Sequence, residues 1–146
     1  MKKSNKTPFM PAPQYGQSLS GFTTNLLSVN LARALIFQRD VLAAQVQHED
    51  PDLLIMAGYG SSWMVHADHT YDKHPMLGDA QSSPRRGAGI ELRLHGCDPD
   101  IAAFNAQKLG FKVLDEPRDQ PDHGLREAFI IDHDGYVWVP DLALEN

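Results

Sequence analysis

The chain has 146 residues, 42% of them hydrophobic, a formal net charge of −6 and a single cysteine. A length of this order suits one compact domain, or two small modules that share a core. The acidic balance excludes general affinity for nucleic acid, which needs basic patches. No apolar run reaches the roughly 20 residues that a membrane-spanning helix requires. The lone Cys97 can form no internal disulfide, which fits a reducing cytoplasm.

In chain order, residues 1–20 open with a basic stretch that lacks the apolar segment of a signal peptide. Their Pro, Ser, Gln and Gly content predicts a flexible arm. "FTTNLLSVN" predicts a strand that leads into a helix over "LARALIFQRDVLAA". Leu31, Ala34, Leu35, Val41 and Leu42 fall there at helical spacing, and Asn30 stands at the N-cap. "LLIMAGYGSSWMV" reads as a hairpin turning at Gly60. "HADHTYDKHP" gathers His66, Asp68, His69, Asp72 and His74. His66 lies two residues after Met64 and so shares its face, while His69 to His74 fall in a solvated loop. Residues 76–87, rich in Gly, Pro and Ser, read as a linker in which Arg85 and Arg86 are solvated.

The second half repeats the order. In "GIELRLHG", Ile90, Leu92 and Leu94 share one face of a strand and Glu91, Arg93 and His95 the other. A helix follows, capped by Asp98, with Ile101, Phe104 and Leu109 turned inward and Gly110 as the stop. Cys97 reads as a small residue beside that cap rather than a nucleophile. Arg126 and Glu127 read as a structural ion pair or a strand-edge contact. The final "AFIIDHDGYVWVP" superposes on the first hairpin, with Gly135 on Gly60 and Trp138 on Trp63. A tight Asp134-Gly135 turn puts Phe129, Ile131, Tyr136 and Trp138 on one side, and Ile130, Val137 and Val139 on the other. The fold class is therefore α+β: two tandem βαβββ modules, residues 21–75 and 88–144, forming a curved sheet around a cleft within one shared domain.

"NLARALIFQRDVLAAQV" and "DPDIAAFNAQKLGFKVLDEPRDQPDHGLREAFIIDHDGYVW", the latter ending in G-x-R-E-x-x-x-x-D-x-D-G, resemble the vicinal oxygen chelate superfamily over residues 21–142. That superfamily includes glyoxalases, extradiol dioxygenases and bleomycin-resistance proteins. The resemblance implies a sheet-lined cleft, often within a homodimer; the apolar face of each module also needs a partner, so a twofold homodimer is expected, with the N-terminal arm around Phe9 and Met10 crossing to the other subunit. In the metal-dependent members, His and Glu from the first and last strands of each module bind a divalent ion. Those positions carry over onto Thr23, Met64, Glu91 and Val139, and only Glu91 is a competent ligand.

The chain is thus closest in character to the metal-free, bleomycin-resistance-like branch. The expected function is binding of a small organic molecule without metal or turnover, and no catalytic residue is assigned. The expected ligand-binding residues are Thr23, Asn25, Trp63, Met64, His66, Glu91, Arg93, Trp138 and Val139. Trp63 and Trp138 would stack on a planar group and Glu91 would pair with a cation, although the two rings serve equally well as core. One alternative is a metal-dependent lyase or dioxygenase with a degenerate ligand set, His66 and Glu91 holding the ion. Another is a structural dimer without ligand.

Overall fold

The computed structural model describes residues 9–145. The chain runs α1 (Ala12–Ser18), β1 (Asn25–Ser28) and α2 (Leu31–Ile36), which continues as a π-helical turn over Phe37–Val41. β2 (Gln45–Glu49), β3 (Leu53–Gly58) and β4 (Ser61–Ala67) complete the first module. After a 3-10 turn (Asp68–Tyr71) and α3 (Pro75–Ser82) come β5 (Glu91–His95), α4 (Pro99–Lys108), β6 (Lys112–Gln120), β7 (Leu125–Ile131) and β8 (Val137–Ala143). The two four-stranded sheets have the orders β1-β4-β3-β2 and β5-β8-β7-β6, with β1 parallel to β4 and β5 parallel to β8. The duplicated βαβββ unit is therefore present in both halves.

Local chemistry explains why the elements begin and end here. Asn30 accepts from the Arg33 amide, and Asp98 accepts from the amides of Asp100 and Ile101, so side-chain oxygens satisfy the orphan donors of both helix starts. Gly110 stops α4 at a φ of +82°, a conformation that glycine adopts without steric cost.

The helix-facing side chains of both sheets meet in one core. Phe37 stacks edge-on to Phe111, with ring centroids 5.0 Å apart, and Trp63 lies 6.0 Å from Trp138. Trp63 and Trp138 are 5% and 2% exposed. Their indole N–H groups donate to Gln38 Oε1 at 2.9 Å and Asp132 Oδ2 at 3.0 Å. Phe37 and Trp63 of the first half and Phe111 and Trp138 of the second thus belong to one buried cluster.

Several expectations need correction. The terminal hairpin pairs Ile130 with Trp138 and Ile131 with Val137, so Trp138 shares its face with Ile130 and not with Phe129 and Ile131. The cause is the turn. Asp132 Oδ1 accepts from the amides of Asp134, Gly135 and Tyr136, which stretches the connection beyond a two-residue turn, and a one-residue slip inverts every side chain. In α4 the buried face is Ala102, Ala103 and Ala106, whereas Ile101 and Phe104 are exposed. The alanines let the helix sit close to the sheet, and the larger residues are left outside.

Residues of the first arm form α1, and the expected linker contains α3. In that same segment Arg86 is 6% exposed, not solvated. Its guanidinium donates to Asp68 at 2.7 and 2.8 Å and to the Leu27 carbonyl at 3.1 Å. Arg126 and Glu127, adjacent on β7, point to opposite faces. Arg126 pairs with Asp100 and Asp119, and Glu127 with Arg93.

Candidate functional site

The register of β5 against β8 places Glu91, Arg93 and His95 on one face with Val137, Val139 and Asp141. On that face, opposite the helices, one guanidinium serves three carboxylates. Arg93 donates to Glu91 Oε2 and Asp141 Oδ2, both at 3.1 Å, and to Glu127 Oε2. Glu127 and Asp141 are 4% and 1% exposed. His95 Nδ1 lies 2.9 Å from Asp141 Oδ1. Buried carboxylates persist only when paired in this way, so the cluster ties β5, β7 and β8 together and leaves Arg93 committed within the protein. Strand alternation flagged Arg93. What it could not reveal is that Glu127 and Asp141, distant in sequence, converge on it.

In the first module the equivalent face carries Asn25, Leu27, Met64 and His66, since β1 pairs Asn25 with Met64 and Leu27 with His66. His66 is half-buried, and its Nε2 is buried without a hydrogen-bond partner. Burial pushes the imidazole pKa down, favouring the neutral ring. Thr23 precedes β1 and is exposed, because the first strand starts at Asn25.

Three cavities divide the expected ligand-binding residues. A cavity of about 230 Å³ is lined by Thr24, Ser62, Trp63, Glu91, Arg93 and Trp138. A second, of about 360 Å³, lies at the seam between β1 and β5 and includes Asn25, Leu27, Met76, Glu91, Tyr136 and Val137. A third, of about 430 Å³, lies between α1 and the first sheet and contains Met64 and His66. Thr23 and Val139 line none of these three. Glu91 is common to the first two. α3, unread in the sequence, supplies Met76 and Ala80 to the seam.

No family model matches the sequence, and no curated protein is detectably similar to it. Solved structures do match over nearly the full chain. A glyoxalase/bleomycin resistance protein/dioxygenase from Nocardioides superposes with a TM-score of 0.62 at 17% identity, covering 92% of this chain and 93% of that one. A glyoxalase/bleomycin resistance protein/dioxygenase family enzyme from Burkholderia phytofirmans gives 0.65 at 16% identity, over 84% and 97%. The fosfomycin resistance protein FosX from Mesorhizobium loti gives 0.57 at 11% identity, over 86% and 92%. The chain has the vicinal oxygen chelate fold.

That fold implies a divalent ion in its metal-dependent members, and the residues at the four corresponding positions do not fit one. Thr23 lies outside the strand, and Met64 and Val139 offer no hard donor, which leaves Glu91 as the one competent ligand of the four. Among the described residues, one group of metal-ligating side chains comes together: Asp132, His133 and Asp134. Its carboxylates and His133 Nε2 are already engaged, whereas His133 Nδ1 is buried without a partner. Asp132 accepts from three backbone amides and from Trp138, and Asp134 Oδ1 accepts from the Val29 amide. His133 Nε2 lies 2.9 Å from Ser28 Oγ and 3.0 Å from Asp134 Oδ2.

Ser28, His133 and Asp134 have the composition of a hydrolase triad but not its arrangement. The same imidazole nitrogen meets both partners, so no relay exists, and Ser28 is 1% exposed. The group pins the end of β1 to the β7–β8 turn. Cys97 is likewise no nucleophile: it is 3% exposed, and burial raises its pKa.

Proposed function

We propose that this protein reversibly binds a small, planar, cationic organic molecule at the seam between its modules, without a metal ion and without turnover. The observation that carries the reading is the seam cavity of about 360 Å³. It has apolar walls, the amide of Asn25 and a carboxylate, Glu91, of which Arg93 bonds only Oε2 among the described residues. Cavities of this size and character, apolar with a few polar anchors, are typical of small-molecule sites. Two of the structural neighbours, from Nocardioides and Burkholderia phytofirmans, are named for bleomycin resistance among other activities, which agrees with this class. Glu91 gives the cavity its charge preference, because the acidic chain has no other carboxylate among the seam-lining residues.

Titration with proflavine, a planar cation, tests the reading by calorimetry. Because the Glu91 side chain is 48% exposed, solvent screens it, and Glu91→Gln should weaken binding by about 1 kcal/mol, roughly fivefold. Unchanged circular dichroism would confirm that the fold survives. No proflavine binding, or equal binding by the variant, overturns the assignment. Elemental analysis of protein purified without chelators should give no near-stoichiometric transition metal. A stoichiometric metal lost on mutating Glu91 or His66 would favour the metalloenzyme alternative.

A further inference from the structure

The third cavity has a construction of its own. Above it lie Phe9, Tyr15 and Leu19, on and beside α1; below it lie Ile55 of β3 and Met64 and His66 of β4. Phe9 packs edge-on to Tyr15 with ring centroids 5.7 Å apart, so the upper wall is preformed. Yet α1 is lightly held: none of its residues is buried, and no side chain caps its start.

The floor contains an unsatisfied polar atom. His66 Nε2 is buried without a partner, and a buried ring nitrogen left in that state carries an uncompensated desolvation penalty. The ring edge meets Tyr71, with centroids 5.3 Å apart, which fixes the imidazole on that side. Among the described residues, no unpaired charge lines the cavity. At the rim, Asp50 Oδ1 accepts from the amides of Asp52 and Leu53, and its Oδ2 lies 2.6 Å from His48 Nε2. A cavity of about 430 Å³ with apolar walls and one unpaired imidazole nitrogen selects an uncharged, flat molecule bearing a single hydroxyl or comparable hydrogen-bonding group.

We propose that this cavity is a second ligand site, that His66 Nε2 is its hydrogen-bonding anchor, and that α1 is a strap that opens to admit the ligand and closes over it. The site is independent of the seam: it shares no lining residue with the cavity that contains Glu91 and Asn25.

The test uses the full chain, with 1-naphthol as the probe and naphthalene as its control. In NMR titrations, 1-naphthol should shift the His66 ring and Met64 methyl signals and bind at least tenfold more tightly than naphthalene. Amide exchange across residues 12–18 should slow about tenfold in the complex. His66→Phe should reduce 1-naphthol affinity to that of naphthalene while leaving proflavine binding unaltered. Glu91→Gln should leave 1-naphthol binding unaltered. Equal affinity for the two probes, shifts confined to the seam residues, or unchanged exchange in α1 would each overturn the proposal. The unmodified protein alone supplies these readouts, so a poorly folding variant does not leave the question open.

Discussion

At the scale of single residues, Asp132 does the most with the fewest atoms. One carboxylate closes the β7–β8 turn through three amides and fixes the Trp138 indole in the core. Burial, aided by the Asp134 carboxylate nearby, outweighs the Trp138 N–H and the amides and raises its pKa to about 6. A carboxyl group whose folded pKa exceeds its unfolded value of 3.8 is more easily protonated in the native state. Its ionisation therefore opposes folding above about pH 6, and the penalty disappears as the pH falls toward 4. Above pH 6 that penalty is on the order of 3 kcal/mol. Asp132→Asn, which resembles the protonated carboxyl, should match the native chain in urea unfolding near pH 4 and exceed it in stability at pH 7. An Asn variant that is less stable at pH 7 would show that the four donors, not burial, govern the group. Asp134 and Asp50 have lowered pKa values and contribute in the opposite sense, so the comparison must be made between variants and not along one curve.

Secondary-structure elements show where the amino-acid pattern was sufficient and where it failed. Caps, glycine stops and hairpin glycines were legible because each is a local match between a residue and its own stretch of backbone. Asn30, Asp98 and Gly110 all perform as their residue types predict. The alternation in β5 was legible for the same reason. Arg86 was not, because its partners Asp68, Leu27 and Asp134 are assembled by the fold. The face of Trp138 was misread because its register depends on the length of a turn that a buried carboxylate sets. α4 illustrates a third failure: apolar spacing marks a helix, but small residues decide which side approaches the sheet. The candidate ligand residues suffered from all of these together. Sequence gathered them into one pocket, whereas the structure divides seven of the nine among three cavities, with Glu91 in two, and leaves Thr23 and Val139 outside all three.

On the scale of the whole molecule, the two modules are repeats in sequence whose buried side chains form one core. Trp63 comes from the first sheet and Trp138 from the second, and Phe37 of the π-helical turn approaches both Trp138, at 6.1 Å, and Phe111. These two tryptophans are the only ones in the chain. In Trp63→Ala, then, all tryptophan emission arises from Trp138, while the lesion lies in the other module. Removing a buried aromatic of this size costs about 3–5 kcal/mol, and a shared core should pass that loss to both halves. Urea unfolding of the variant, followed by Trp138 emission and by far-ultraviolet circular dichroism, should give one coincident transition displaced to lower denaturant. If the Trp138 transition kept its original midpoint while part of the dichroism signal melted early, the modules would be independent folding units. Both cavities containing Glu91 would then depend on docking rather than on a common core.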